Sequence, residues 1–174
     1  MERCTENTEF IEKLRDFLFW AQLHRYGSGE EPAELADGGN TLNYKNRDWE
    51  CIDTWYDGEQ FSGITKILYQ GKVVWTMVYR GEVRPGFNKD YVHRVLRTAL
   101  MSLKAAYPWR GPEEFVDKSG LIYQNQWEGN ICHFKGEESI NFENKESFQD
   151  SPGQIFFSAN LYSASYLGGF VNLR

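Results

Sequence analysis

Proline and cysteine are both scarce in this chain of 174 residues, at 5 and 3. The cysteines (Cys4, Cys51 and Cys132) are odd in number, far apart and without a C-x-x-C pair. That pattern argues against a disulfide framework or a thiolate metal site, and it predicts free thiols in a reducing, cytoplasmic setting. Long apolar runs are missing, and the opening MERCTENTEF carries acids where a secretion signal needs an apolar core. No membrane association is expected. Basic charge is short as well: 19 Lys and Arg stand against 25 Asp and Glu, a formal charge of −6. The densest basic cluster is Lys45-Asn46-Arg47, too little for a phosphate-binding stripe, so direct binding of nucleic acid is not expected.

Motifs that carry chemistry are absent too. There is no H-E-x-x-H, G-x-S-x-G, Walker A or dinucleotide fingerprint. His24, His93 and His133 lack metal-ligand spacing, and the adjacent Cys132-His133 point to opposite faces of a strand. The acidic pairs Glu113-Glu114 and Glu137-Glu138 read as solvated neighbours in loops. No catalytic residue, metal site or cofactor can be named, and the balance leans away from an enzyme.

What the chain does have is aromatic side chains, 16% of its residues. Its length suits one domain over 1–174, large enough to bury a core without staples. From Thr8 to Tyr26 the residues Phe10, Ile11, Leu14, Phe17, Leu18 and Ala21 form one helical stripe. The segment from Gly27 to Asn40 has no apolar period and several acids, and predicts a peripheral or loosely held loop. Strands follow, punctuated by Asp57-Gly58 and Gln70-Gly71, both read as two-residue hairpin turns. A second helix is predicted from Lys89 to Ala106, with Tyr91, Val92, Val95, Leu96, Ala99, Leu100 and Leu103 as its stripe. Further strands are predicted at Leu121–Trp127, Ile131–Lys135, Ile140–Phe142, Gln154–Leu161 and Tyr166–Val171. The fold class is α+β: a curved, mainly antiparallel β-sheet with an N-terminal helix and a second helix packed on one face.

The strand within Gly71–Val83 does not alternate apolar with polar. With both turns holding two residues, Asp53 pairs with Ser62, Lys66 with Trp75, Ile64 with Met77 and Ser62 with Tyr79. One face then carries Ile52, Thr54, Tyr56, Phe61, Ile67, Val74 and Val78, suited to helix packing. The other carries Asp53, Trp55, Ser62, Ile64, Lys66, Trp75, Met77 and Tyr79, which reads either as a binding surface or as a second, minor core. Asp53 sits mid-strand, where Asp is disfavoured, and is either a ligand anchor or a structural carboxylate paired with Lys66, Arg80 or Arg110. Arg110, in YPWRGP, either clamps an anion or ties its loop to the sheet. The candidate binding set is Asp53, Trp55, Lys66, Trp75, Met77, Tyr79 and Arg110.

These blocks carry a resemblance. Cys51-Ile52-Asp53-Thr54-Trp55-Tyr56-Asp57-Gly58 with Phe61 and Gly63, then Val74-Trp75-Thr76-Met77-Val78-Tyr79-Arg80-Gly81, are followed by Tyr107-Pro108-Trp109-Arg110-Gly111-Pro112. Phe134-Lys135-Gly136-Glu137-Glu138-Ser139-Ile140 and Tyr166-Leu167-Gly168-Gly169 complete the order. Over about 17–171 the chain resembles the bacterial DUF5680 family, which stands alone or behind an XRE-type helix-turn-helix. The resemblance implies a fold and a sensor role rather than a reaction. Ile64-Thr65 stand where the family has Glu, Val78 where it has Asn and Glu82 where it has Arg, so a cleft built on those groups is altered here. No attached helix-turn-helix is expected in this chain.

The leading expectation is a non-enzymatic cytosolic binding or sensor module that presents an aromatic-lined sheet face to a small ligand or a protein. The alternative is a phage or mobile-element inhibitor of a host defence nuclease that acts by direct binding, with a homodimer a possible form.

Overall fold

The computed structural model describes residues 8–102, 110–147 and 154–171. Helix α1 spans Thr8–Gly27 and helix α2 spans Lys89–Met101. The side chain of Asn88 caps α2 by accepting from the Tyr91 amide at 2.9 Å, satisfying a first-turn donor. The expected continuation of α2 to Ala106, with Leu103, lies outside the described residues, as do Tyr107, Pro108 and Trp109.

Among the described residues nine strands make one antiparallel sheet: β1 (Ala33–Glu34), β2 (Asn40–Asn46), β3 (Trp49–Tyr56), β4 (Gln60–Tyr69), β5 (Lys72–Val83), β6 (Glu114–Val116), β7 (Leu121–Asn130), β8 (His133–Ser147) and β9 (Gln154–Phe170). Their order is β1-β2-β3-β4-β5-β9-β8-β7-β6, so two meanders run inward from the edges and meet at β5 and β9. The result is a mainly-sheet α+β fold. The segment expected to be loose, Gly27–Asn40, supplies the two-residue edge strand β1, exposed along its length. The four C-terminal strands expected between Ile131 and Val171 are in fact two long ones, β8 and β9.

The turn at Gln70-Gly71 holds two residues, with both φ positive (49° and 76°) and Tyr69 paired with Lys72. The turn at Asp57-Gly58 does not. There the ladder closes at Tyr56 with Ser62, and Asp53 lies opposite Thr65 instead of Ser62. A bulge between Ile67 and Leu68 then sets Ile67, not Lys66, against Trp75. Each change is an odd shift, and an odd shift exchanges the faces of a strand. β4 is therefore turned over relative to the expectation, while β3 and β5 keep their relation. Asp53, Trp55, Trp75, Met77 and Tyr79 do share a face; Ser62, Ile64 and Lys66 leave it, and Gly63, Thr65 and Ile67 replace them.

That face is a core, and it does not stand apart from the helices. Leu14, Phe17 and Ala21 of α1 share one cluster with Cys51, Ile67, Val74, Trp75, Met77, Phe134 and Tyr166. Val92, Val95, Ala99 and Leu100 of α2 share a second with Val83, Leu121, Tyr123, Ile140 and Tyr162. The indole of Trp75, fully buried, stacks on Phe134 at 5.5 Å between centroids and donates to the Ile131 carbonyl at 2.9 Å. Aromatic rings lie over glycines of adjacent strands. A Cβ on Gly63 would meet the Tyr79 hydroxyl, and one on Gly136 the Tyr166 ring. Cys51 is a free, buried thiol, its pKa pushed up to about 11 by burial. Cys132 is disulfide-bonded, so the expectation of free thiols does not hold for it.

Candidate functional site

Polar groups on the same sheet face form two buried ion pairs. In the first, Arg25 Nη2, from the last turn of α1, donates to Asp53 Oδ2 at 2.6 Å, with both side chains under a tenth exposed. Thr65 Oγ1 donates to Asp53 Oδ1 at 2.6 Å, and the Tyr79 hydroxyl reaches Asp53 Oδ2 at 3.2 Å. Burial, the largest single influence, would depress the Arg25 guanidinium, but Asp53 together with Tyr26, Cys51 and Tyr79 outweighs it and the pKa is raised. Burial, reinforced by Asp53, lifts Tyr79 well above an ordinary phenol. Tyr79 stays protonated and can only donate to Asp53 at neutral pH.

In the second pair Arg110 meets Glu138 in a two-pronged contact, through Nη2 to Oε1 and through Nε to Oε2 at 3.2 Å. Tyr123 and Tyr162 donate to the same carboxylate at 2.8 and 2.6 Å. Both phenols are held above their usual range, first by burial and then by the Glu138 charge. The Arg110 guanidinium lies over the Tyr79 ring at 5.2 Å and links the two pairs. Gln22 of α1 donates to the Arg110 carbonyl at 2.6 Å and to that of Leu100 at 3.2 Å, tying the loop to both helices.

Above these pairs opens a cavity of about 430 Å³. Its floor includes Arg25, Asp53, Tyr79 and Arg110; Trp55 and Phe61 line its apolar side, and Lys89, His93 and Arg97 of α2 line another. Those three positions are four residues apart and so lie along one helical stripe. His93 packs edge-on against Phe61 at 6.1 Å. Its pKa is lowered, by burial first and then by Lys89 and Arg97, with Asp57 and Asp90 acting the other way. Asp57 accepts from Asn40 at 3.1 Å and from the Trp55 indole at 3.2 Å.

Of the seven residues expected to bind, the cavity brings together Asp53, Trp55, Tyr79 and Arg110. Trp75 and Met77 are core residues, at 0% and 2% exposure. Lys66 lies opposite Ile52 and Thr76 on the other side of the sheet, because β4 is turned over. The partner of Asp53 is Arg25, not Lys66, Arg80 or Arg110. Arg25, Glu138 and the stripe Lys89, His93, Arg97 were not anticipated. Only Glu138 left a trace: Phe134, Gly136, Glu138 and Ile140 alternate as the buried positions of one strand. Among the described residues no group of His, Cys, Asp and Glu is placed to hold a metal ion, and no helix is long and apolar enough to cross a membrane.

The family described as a domain of unknown function, DUF5680, matches residues 53–171. Comparison with curated proteins and with solved structures gives no match.

Proposed function

The chain belongs to the DUF5680 family, and we propose that this member is a non-enzymatic binding or sensor module that takes a small ligand into the cavity over Asp53, Trp55, Tyr79 and Arg110. The observation that carries the reading is the cavity itself. About 430 Å³ is within the range of small-molecule sites, and it combines an aromatic side with a few fixed polar groups. Its floor is rigid, since every carboxylate oxygen of Asp53 and Glu138 is already bonded. We read the sheet as curved, with both helices on its cavity side; the shared face of Trp75, Met77, Tyr123 and Tyr162 supports this. A cytoplasmic setting and no direct contact with nucleic acid remain part of the proposal, the latter supported by the charge of −6.

A second reading, a protein-protein inhibitor or adaptor, is favoured by one observation. On the opposite face Val78 and Leu167 are cross-strand partners, 41% and 59% exposed. Nothing comparable in the cavity points that way, and the reading stays second.

The test is a chemical-shift survey of isotope-labelled protein against a mixed library of small metabolites. Binding should move the Trp55 indole signal and leave that of Trp75 unmoved, and Trp55→Ala should abolish it without unfolding the chain. A library that moves only signals of Val78 and Leu167 would sink the cavity reading.

A further inference from the structure

Donors outnumber free acceptors in this cavity. The hydrogen bonds of Arg25 run through Nη2, to Asp53 and, at 3.4 Å, to the Tyr26 hydroxyl, with a further one to the Cys51 thiol. Those of Arg110 run through Nε and Nη2. Both guanidiniums line the cavity. Lys89 and Arg97 add two cations with no ion-pair partner among the described residues. The acceptors are spent: Asp53 takes bonds from Arg25, Thr65 and Tyr79, and Asp57 from Asn40 and Trp55. The remaining acids of the lining, Glu30, Glu31 and Asp90, are exposed at its rim.

We propose that the ligand is a small organic oxyanion, a carboxylate or phosphate monoester with a flat apolar body. Its oxygens lie between the Lys89–Arg97 stripe and the guanidiniums of Arg25 and Arg110, and its body lies against Trp55 and Phe61. The proposal rests on the cavity being a binding site, and it adds the sign and shape of what enters. Oxygen acceptors without donors of their own fit an array of donors, and planar guanidinium edges suit planar or tetrahedral oxyanions. A cationic ligand would meet the like charges of Lys89 and Arg97, which have no ion-pair partner among the described residues. The rim acids slow the entry of anions but touch none of the donors on the floor.

The experiment uses three probes that share a phenyl body: phenylacetate, phenyl phosphate and 2-phenylethylamine. Each is titrated into labelled protein to about 10 mM, the range in which small fragments bind. The Trp55 indole and the His93 ring are followed, with His93 assigned through His93→Gln. His93 is faced by Lys89, Asp90 and Arg97 on its own helix, and by Asp57 and Phe61 across the cavity. Either anion should move both signals and raise the His93 titration midpoint, because a bound negative charge favours imidazolium. Lys89→Met and Arg97→Met should each weaken binding about tenfold, the loss of one charge-assisted contact, without altering the fold. The tighter of the two anions names the headgroup. Binding of the amine with a fall in the His93 midpoint would overturn the anion assignment and leave the cavity reading intact. Anion binding unchanged in both Met variants would overturn the role of the α2 stripe. Silence from all three probes would overturn both the anion assignment and the cavity reading.

Discussion

Trp75 and Trp55 share a sheet face, yet their truncation should have opposite consequences. Trp75 is fully enclosed, stacked on Phe134 and bonded to the Ile131 carbonyl. Removing a buried Trp side chain costs about 3–5 kcal/mol, through lost transfer energy and the cavity left behind. The Ile131 carbonyl, stripped of its donor, adds about 1 kcal/mol or more. Trp75→Ala should therefore lose about 4–6 kcal/mol of a domain stability that is typically about 5–15 kcal/mol. Trp55 is half-buried at the cavity, and its indole bond to Asp57 is solvent-exposed. Its replacement by Ala should cost about 1 kcal/mol. Urea unfolding followed by far-ultraviolet circular dichroism measures both, with the m-value checking that the transition stays two-state. Trp75→Phe keeps the stacking and should recover more than half the loss. A Trp75→Ala cost below about 1.5 kcal/mol would refute the burial argument, and a Trp55 cost equal to that of Trp75 would return Trp55 to the core.

Two further outcomes are expected. Glu138→Gln should destabilise the chain by about 3–5 kcal/mol, because the buried Arg110 charge loses its counter-charge, while Arg110→Met with Glu138→Leu should recover most of that in the same urea assay. Equal losses from the single and double variants would show that the pair does not act as a unit. For His93 the sign follows from its lowered folded pKa: the unfolded chain takes up the proton first, so stability is lost as pH falls from the ordinary histidine value near 6.5 through the lower folded value. Comparing unfolding at about pH 7.5 and 5.5, wild type should lose more stability than His93→Gln; parallel losses would mean that folding does not lower the His93 pKa.

Local signals in the sequence account for part of this arrangement. The stripe of Leu14, Phe17 and Ala21 is written at helical spacing, and those residues are the buried apolar ones of α1. Gln70-Gly71 is legible because a two-residue turn with both φ positive selects such residues. Asp57-Gly58 looks the same on paper, but the tie from Asn40 and Trp55 to Asp57 accompanies a longer loop, and register is decided across strands. The bulge at Ile67 has no local mark either. Arg25 and Asp53 are 28 residues apart and Arg110 and Glu138 are also 28 apart, so no periodicity could have joined them. Two adjacent acids, Glu137 and Glu138, read as solvated because the alternation that separates their faces depends on a strand whose length was underestimated.

The sheet order also sets a schedule for assembly. β5 meets β9 along Trp75–Val83 and Tyr162–Phe170, so the seam at the middle of the sheet joins segments far apart in the chain. During synthesis the first meander, β1 to β5, leaves the ribosome with β5 as an open edge. The second, β6 to β8, ends with another. Both wait for β9, and until it arrives Trp75 has its flanking strand missing on one side. Chains that pair their central strands last fold slowly and carry sticky edges while they do. The strand made last is the one on which the two halves close, so any pause before it lengthens the time in which one nascent chain can pair with another.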